Sequence, residues 1–238
     1  KEAVKLISHK TTNWLNKKSR AIDFGKELLY MKKAILKNDM ITGVILAGGQ
    51  STRMGGGDKF LKEINGKTIL SLVIEKFEKQ CNSVLISANG DPARLEAYNK
   101  PIIIDPLIEA APTPSKDQEE TLAGPLAGIL AAMNWAKENH PGHTHILSVA
   151  ADSPLFPDDF SQTMIKHAND LNENAVILAK SGGWHHPIFG LWPIEFASDL
   201  EAQLKAGVRK IRAWTNTHPN SAVEFEDQII KDTKIDPF

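Results

Sequence analysis

From residue 41 onward, short apolar runs alternate with segments whose apolar positions recur every three or four residues. The runs "ITGVILA" (41–47), "SVLISAN" (83–89), "PIIID" (101–105), "THILSVAAD" (144–152), "NAVILAK" (174–180) and "HHPIFGLW" (185–192) read as strands. Between them, "TILSLVIEKFEKQ" (68–80) sets Ile69, Leu72, Val73 and Phe77 at helical spacing. "GPLAGILAAMNWAKENH" (124–140), "PDDFSQTMIKHANDL" (157–171) and "PIEFASDLEAQLKAG" (193–207) also read as helices, the first two with proline near the first turn and the last closing on Gly207. "DPARLEAY" is a shorter helical piece. The strands carry too little polar alternation for a sheet with one wet face, so helices must cover both sides. The pattern predicts an α/β fold, a three-layer open and mostly parallel sheet.

In such sheets ligands bind outside the carboxyl ends of the strands. Four chemical features fall there: a glycine loop after the first strand, the "SAN" of the second, Asp105 and Asp152. The loop, "LAGGQSTRMGGGDK" (Leu46 to Lys59), brings backbone N–H groups close to a ligand without Cβ obstruction, and oriented amides form a concave anion site. Arg53 and Lys59 add full positive charges, a combination suited to a triphosphate. The dinucleotide pattern G-x-G-x-x-G is absent, because Phe60 stands three residues after Gly57. The Walker pattern is absent too, and "NGKT" (65–68) reads as a turn before the helix. A glycine loop by itself can be a tight strand–helix connection, and Asp152 before Ser153-Pro154 can be a simple helix cap. Asp105 before Pro106 can likewise be a turn.

Charge and composition change this picture in one place. The net charge of the 238 residues is −1, but residues 1–39 hold ten Lys/Arg against four Asp/Glu. That stretch reads as a basic, helical N-terminal extension, with the core domain covering 40–238 and starting near Met40. It could touch nucleic acid or an acidic lipid surface; a solvated appendage is the simpler expectation, so neither nucleic acid nor membrane is expected as a partner. No apolar run approaches the roughly 18 residues of a membrane span, and the first residues lack the apolar core of a secretory signal. The single cysteine, Cys81, excludes an internal disulfide and fits a cytoplasmic location. No Cys/His cluster has zinc spacing. His185 and His186 are adjacent on a strand, so they point to opposite faces and do not suit one ion. The proline-rich acidic stretch that follows Asp105 reads as a solvated loop long enough to act as a lid. Trp135, Trp192 and Trp214 read as packing residues, while Trp184, beside Gly182 and Gly183, is the one to watch.

Taken together, "LAGGQSTRMGGGDK", "GPLAG" (124–128) and "ADSP" (151–154), in this order, resemble the molybdenum cofactor guanylyltransferase family of nucleotidyltransferases. The paired Gly48-Gly49 distinguishes the loop from that of cytidylyl-transferring relatives, which usually have Ala-Gly. The resemblance runs from residue 41 to about 226. It implies a Rossmann-like nucleotidyltransferase (nucleotide-diphospho-sugar transferase) fold and transfer of GMP from GTP to the terminal phosphate of molybdenum-molybdopterin. It further implies that Leu46, Ala47, Gly48 and Gly49 hold the nucleotide through backbone groups, and that Lys59, with Arg53, contacts its phosphates. Ser87 and Asn89 fall on a family "NAN"-type segment, with Ser in place of the first Asn. Asp105 matches a nucleotide-contacting aspartate, Gly124 and Gly128 a close approach on the guanine side, and Asp152 the aspartate that holds Mg2+. His186-Pro187 matches a family element that is structural or near the acceptor. The family usually continues into an Asn-x-Asn-Thr-Pro stretch, and the given sequence ends at Phe238 ahead of it. Partner proteins that deliver or receive the pterin are implied by the same resemblance.

Elementary chemistry agrees with that implication. Nucleotidyl transfer needs an acceptor oxygen, the α-phosphorus and the departing pyrophosphate in line, so catalysis is chiefly positioning and charge neutralisation. Two other readings stay open on the residues alone. One is a related transferase for another base or acceptor, cytidylyl or sugar-phosphate; the other is a non-catalytic nucleotide-binding protein.

Overall fold

The computed structural model describes residues 35–48, 58–104, 124–230 and 233–238. Residues from Leu36 onward form one compact unit. Leu36 is buried in it, and its backbone N–H and C=O both pair with the Asn169 side-chain amide. Packing therefore extends upstream of Met40.

The chain enters the sheet with β1 (Ile41–Leu46), whose β-branched side chains are buried on both faces while Leu46 at its end is half-buried. After the glycine loop come a short hairpin, β2 (Glu63–Ile64) and β3 (Lys67–Thr68), and helix α1 (Ile69–Phe77). The hairpin turns on Asn65 and Gly66, both at positive φ (52° and 78°), which is the backbone an Asn-Gly pair supplies cheaply. Thr68 caps α1 by accepting a hydrogen bond from the Ser71 N–H at 3.1 Å. The buried stripe of α1 is Leu70, Val73, Ile74 and Phe77, while Ile69 and Leu72, expected on it, are only half-buried.

β4 (Ser83–Ser87) follows, then a 3₁₀ segment (Pro92–Tyr98) capped by Asp91, and β5 (Ile102–Ile103). β5 is shorter than "PIIID" suggested and half-buried, because it is the edge of the sheet rather than an interior strand. Helix α2 (Pro125–Asn139) leads to β6 (His145–Ala150), which is buried throughout. Helix α3 (Phe160–Asp170), β7 (Val176–Ser181) and β8 (Trp184–Pro193) come next, followed by α4 (Ala197–Lys205). Beyond Gly207 lie helix α5 (Ile211–Thr215), strand β9 (Asn220–Phe225) and a small hairpin of β10 (Gln228–Ile230) and β11 (Thr233–Ile235). These last elements have no counterpart in the hydrophobic pattern.

The main sheet has the order β5-β4-β1-β6-β8-β7-β9. β4, β1, β6 and β5 run parallel, β8 runs antiparallel between β6 and β7, and β9 is parallel to β7. Successive residues along each strand supply opposite layers. Ile41, Ile45, Leu147, Val149, Ile177 and Leu191 join the side chains of α1 and α3 in one cluster. Val44, Leu85, Ile146, Val176, Leu178 and Trp192 join those of α2 and α4 in the other. The sheet is thus sandwiched as expected.

Candidate active site

The chain passes from β1 outward through β4 to β5 and then returns to place β6 on the other side of β1. The order therefore reverses between β1 and β6, and in open α/β sheets the carboxyl edge at such a reversal is where ligands bind. Ala47 and Gly48 follow β1; Ala151 and Asp152 follow β6. The Ala151 N–H donates to the Leu46 carbonyl at 3.1 Å, which ties the two exits together.

Of the residues singled out in the sequence, Leu46, Ala47, Gly48, Lys59, Ser87, Asn89, Gly124, Gly128 and Asp152 are described, and strand directions place those of β1, β4 and β6 at this edge. Gly49, Arg53, Asp105 and the acidic stretch after it lie outside the described residues. The Ala47 N–H is spent on the Ser87 carbonyl at 2.8 Å, so Ala47 could meet a ligand only through its carbonyl. Gly48 is half-buried, and its carbonyl accepts from Asn89 Nδ2 at 3.3 Å. Ser87 is buried; a Cβ on Gly128 would stand 2.6 Å from its Oγ and 3.0 Å from Leu46 Cδ2. Gly128 is therefore what lets α2 rest on the ends of β1 and β4. Gly124, at the N-terminus of α2, lies near the Arg209 carbonyl, 3.2 Å from where its Cβ would be. Helix α2 thus brings its positive dipole end to the same edge of the sheet.

Lys59 is exposed and opens a 3₁₀ turn, Lys59–Leu61. On one side Phe60 is buried in the core, and on the other Asp58 forms an ion pair with Arg94 at 2.8 Å. The Arg94 guanidinium also donates to the Asn89 carbonyl. Asp152 stands exposed at the turn after β6. As a lone carboxylate at a strand end it is a hard oxygen donor, and among the described residues no group of three His, Cys, Asp or Glu side chains could enclose a metal. That donor set fits magnesium, which keeps several waters and shares substrate phosphates instead of needing a protein cage.

Sequence reasoning missed a second cluster on this edge. Ser181, the last residue of β7, donates to Asp236 Oδ1 at 2.8 Å and lies 2.7 Å from His186 Nε2, so the His186 ring must donate to it. Asp236 also accepts from the Phe238 N–H at 3.0 Å. Burial pulls the Asp236 carboxyl upward, but hydrogen bonds from Phe238 and Ser181 and the nearby His186 outweigh it, holding the group below its usual range. The Phe238 ring rests on His186 and Phe189, with centroids 4.8 and 4.7 Å away. His186 is therefore bound to its neighbours. Trp192 and Trp214 are buried, Trp135 half-buried, and Trp184 is 76% exposed at the β7–β8 turn.

The one thiol is not a nucleophile here. Burial pushes Cys81 up to about 12, against a smaller opposing hydrogen bond with Ser161. Native protein is expected to resist alkylation at neutral pH and to react only after denaturation, which mass spectrometry of iodoacetamide-treated samples would read. Rapid native labelling would contradict the burial. A cleft of about 520 Å³, lined among others by Asn82, Lys100, Trp135 and His140, opens beside the start of β4, at the edge opposite the features above.

Residues 43–222 match the family model described as MobA-like NTP transferase domain. A protein of Rhodopseudomonas palustris (strain HaA2) named molybdenum cofactor guanylyltransferase is 38% identical over 184 residues, covering 76% of this chain and 79% of its own. A protein of the same name from Nitrobacter hamburgensis is 38% identical over 198 residues, covering 82% of this chain and 86% of its own. Among solved structures, molybdopterin-guanine dinucleotide biosynthesis protein A from Archaeoglobus fulgidus superposes with a TM-score of 0.58 at 20% identity, over 78% of this chain and 83% of its own. A Mycobacterium tuberculosis protein solved as a complex with manganese does so at 0.55 and 15% identity, over 82% of this chain and 94% of its own. At those identities the structures speak for the fold.

Proposed function

The chain belongs to the MobA-like NTP transferase family, and from that premise we propose that it transfers GMP from GTP to the terminal phosphate of molybdenum-molybdopterin. The products are the molybdopterin guanine dinucleotide cofactor and pyrophosphate. The observation that carries this reading is the placement of Gly48 and Asp152 on either side of the point where the sheet order reverses, in a chain 38% identical to proteins named for that reaction.

In the reaction an oxygen of the acceptor phosphate bonds to the α-phosphorus while the bond from that phosphorus to the β-bridging oxygen breaks. Charge accumulates on the departing pyrophosphate. Lys59, on its anchored turn, would hold phosphate oxygens and offset that charge as it grows. The glycine loop would supply amides to the same oxygens, with Arg53 beside them. Asp152 would hold magnesium, which when bound neutralises phosphate oxygens and fixes their geometry. Gly128 would serve by letting α2 rest on the ends of β1 and β4, so that the helix N-terminus at Gly124 reaches the guanine side, while Ser87 and Asn89 keep the β4 end in register with Gly48. Asp105 would complete the nucleotide contacts. His186 and its partners sit further along the edge, where the acceptor half of the site would lie.

With GTP and magnesium at about one hundred times the dissociation constant, the melting temperature should rise by about 5–10 °C, from roughly 2.7 kcal/mol of linkage. CTP and UTP should give at most a third of that. Equal shifts with all three would remove the guanylyl assignment and leave a nucleotide-binding reading. The reaction itself is tested with labelled GTP, magnesium and molybdenum-molybdopterin, following pyrophosphate. Binding without pyrophosphate release would exclude the transferase.

A further inference from the structure

We propose that Arg94 is a positioning residue for nucleotidyl transfer, acting through Asp58 and Asn89 to hold Lys59 and Gly48 in fixed relation. The proposal rests on Lys59 as the phosphate ligand. Arg94 lies in the 3₁₀ segment after β4, where Asp91 fixes the local backbone by accepting from the Ala93 N–H at 2.9 Å. Its side chain is mostly covered and reaches two different exits of the sheet. Nε stands 2.8 Å from Asp58 Oδ2 in an ion pair that lacks hydrogen-bond alignment, and Nη2 donates to the Asn89 carbonyl. Asn89 in turn donates to the Gly48 carbonyl at 3.3 Å. The chain of contacts therefore runs Gly48, Asn89, Arg94, Asp58, and ends beside Lys59.

Gly90 provides the seat for this guanidinium. Its φ is +79°, and a Cβ there would come within 3.0 Å of Arg94 Nη1, so glycine serves both the backbone and the space. A planar, extended cation can lie beside a carboxylate while donating to a carbonyl, which suits arginine better than lysine. The positive charge faces Asp58, so Arg94 is not a spare cation for phosphates. Its effect reaches the substrate through the Asp58 carboxylate. The Asp58 carbonyl also accepts from the Leu61 N–H at 3.1 Å, closing the turn that carries Lys59. Phe60, buried at 4% exposure, secures only the far side of Lys59. Without Arg94 the near side would be loose.

The test is a double-mutant cycle read in steady-state kinetics with the full chain. Arg94→Ala is expected to raise KM for GTP about tenfold, the worth of one charge-assisted hydrogen bond, with kcat changed less than about threefold. Arg94→Lys should recover part of the loss. In a Lys59→Ala background, Arg94→Ala should change KM for GTP by less than about twofold, because the group it positions is gone. Circular dichroism and melting of each variant establish that it is folded. If Lys59→Ala weakens GTP and Arg94→Ala adds its full tenfold on top, Arg94 does not act through Lys59 and the proposal is overturned while the site stands. If Lys59→Ala leaves KM and kcat unchanged, the phosphate-ligand reading fails and the proposal falls with it. An Arg94→Ala variant with wild-type KM overturns the proposal alone.

Discussion

Replacing Asp152 by alanine is expected to lower kcat by about 10³-fold or more, while the melting temperature stays within about 2 °C of the parent. The first expectation follows from its place. Asp152 is the carboxylate at the β6 exit, across the reversal of strand order from the glycine loop, and it is exposed. A divalent ion and phosphates brought together there lose their protein anchor when the carboxylate goes. The second follows from exposure: an exposed side chain away from the core contributes little to stability. Asp152→Asn keeps the shape but not the charge, so it should be nearly as inactive and should regain part of its rate as magnesium is raised. Pyrophosphate release and a thermal melt on the same samples check both halves. Activity within tenfold of the parent would remove Asp152 from the metal role. A collapsed melt would turn it into a capping residue for the turn that follows β6.

How much of this was open to a reader of the sequence depends on where each signal is stored. β1, β4 and β6 are legible because strands buried on both faces must be apolar nearly throughout, and "ITGVIL", "SVLIS" and "HILSVA" are. The same rule overstates β5, since isoleucines at a sheet edge look identical in composition to isoleucines in its middle. α1 is legible as a helix, but its stripe is turned relative to the expectation. Ile69 packs on the core only partly covered and Leu72 is half-buried, and hydrophobicity does not record how deep a side chain sits. β9 escapes because its burial alternates only over Val223 and Phe225, too short a run to outweigh its polar neighbours.

The site divides in the same way. Gly48 and Asp152 could be placed because both directly follow strands, and strand ends are readable. Gly128 was legible as a demand for close approach, but the body that approaches is α2 against Ser87 and Leu46. The Asp58–Arg94 pair and the Ser181–His186–Asp236 cluster were not legible. Each joins residues far apart in the chain, and only the folded arrangement brings them within hydrogen-bonding distance.

The largest stability effect should come from a glycine on β8. A Cβ on Gly190 would lie 2.8 Å from Trp192 Cζ2, 2.9 Å from Cε2 and 3.0 Å from Nε1. Trp192 cannot yield: it is fully buried, its centroid is 6.3 Å from that of Trp214, and its Nε1 donates to Ser148 Oγ at 2.8 Å. Ser148 is buried as well and donates in turn to the Ile188 carbonyl at 2.5 Å, so moving the indole disturbs a closed polar group inside the sheet. Gly190→Ala is therefore expected to cost about 3 kcal/mol as overpacking, or about 6–12 °C in melting temperature for a domain of this size. The three crowded atoms belong to the part of the indole that phenylalanine lacks or places differently. Trp192→Phe should itself cost about 2 kcal/mol, through lost area and the lost donor to the Ser148 oxygen. In that background Gly190→Ala should cost less than half its value alone, because the clash it creates has been relieved. Urea melts of the parent, both single variants and the double variant measure the coupling. Additive losses would mean that the strain of Gly190→Ala is taken up by the strand backbone and not by the ring.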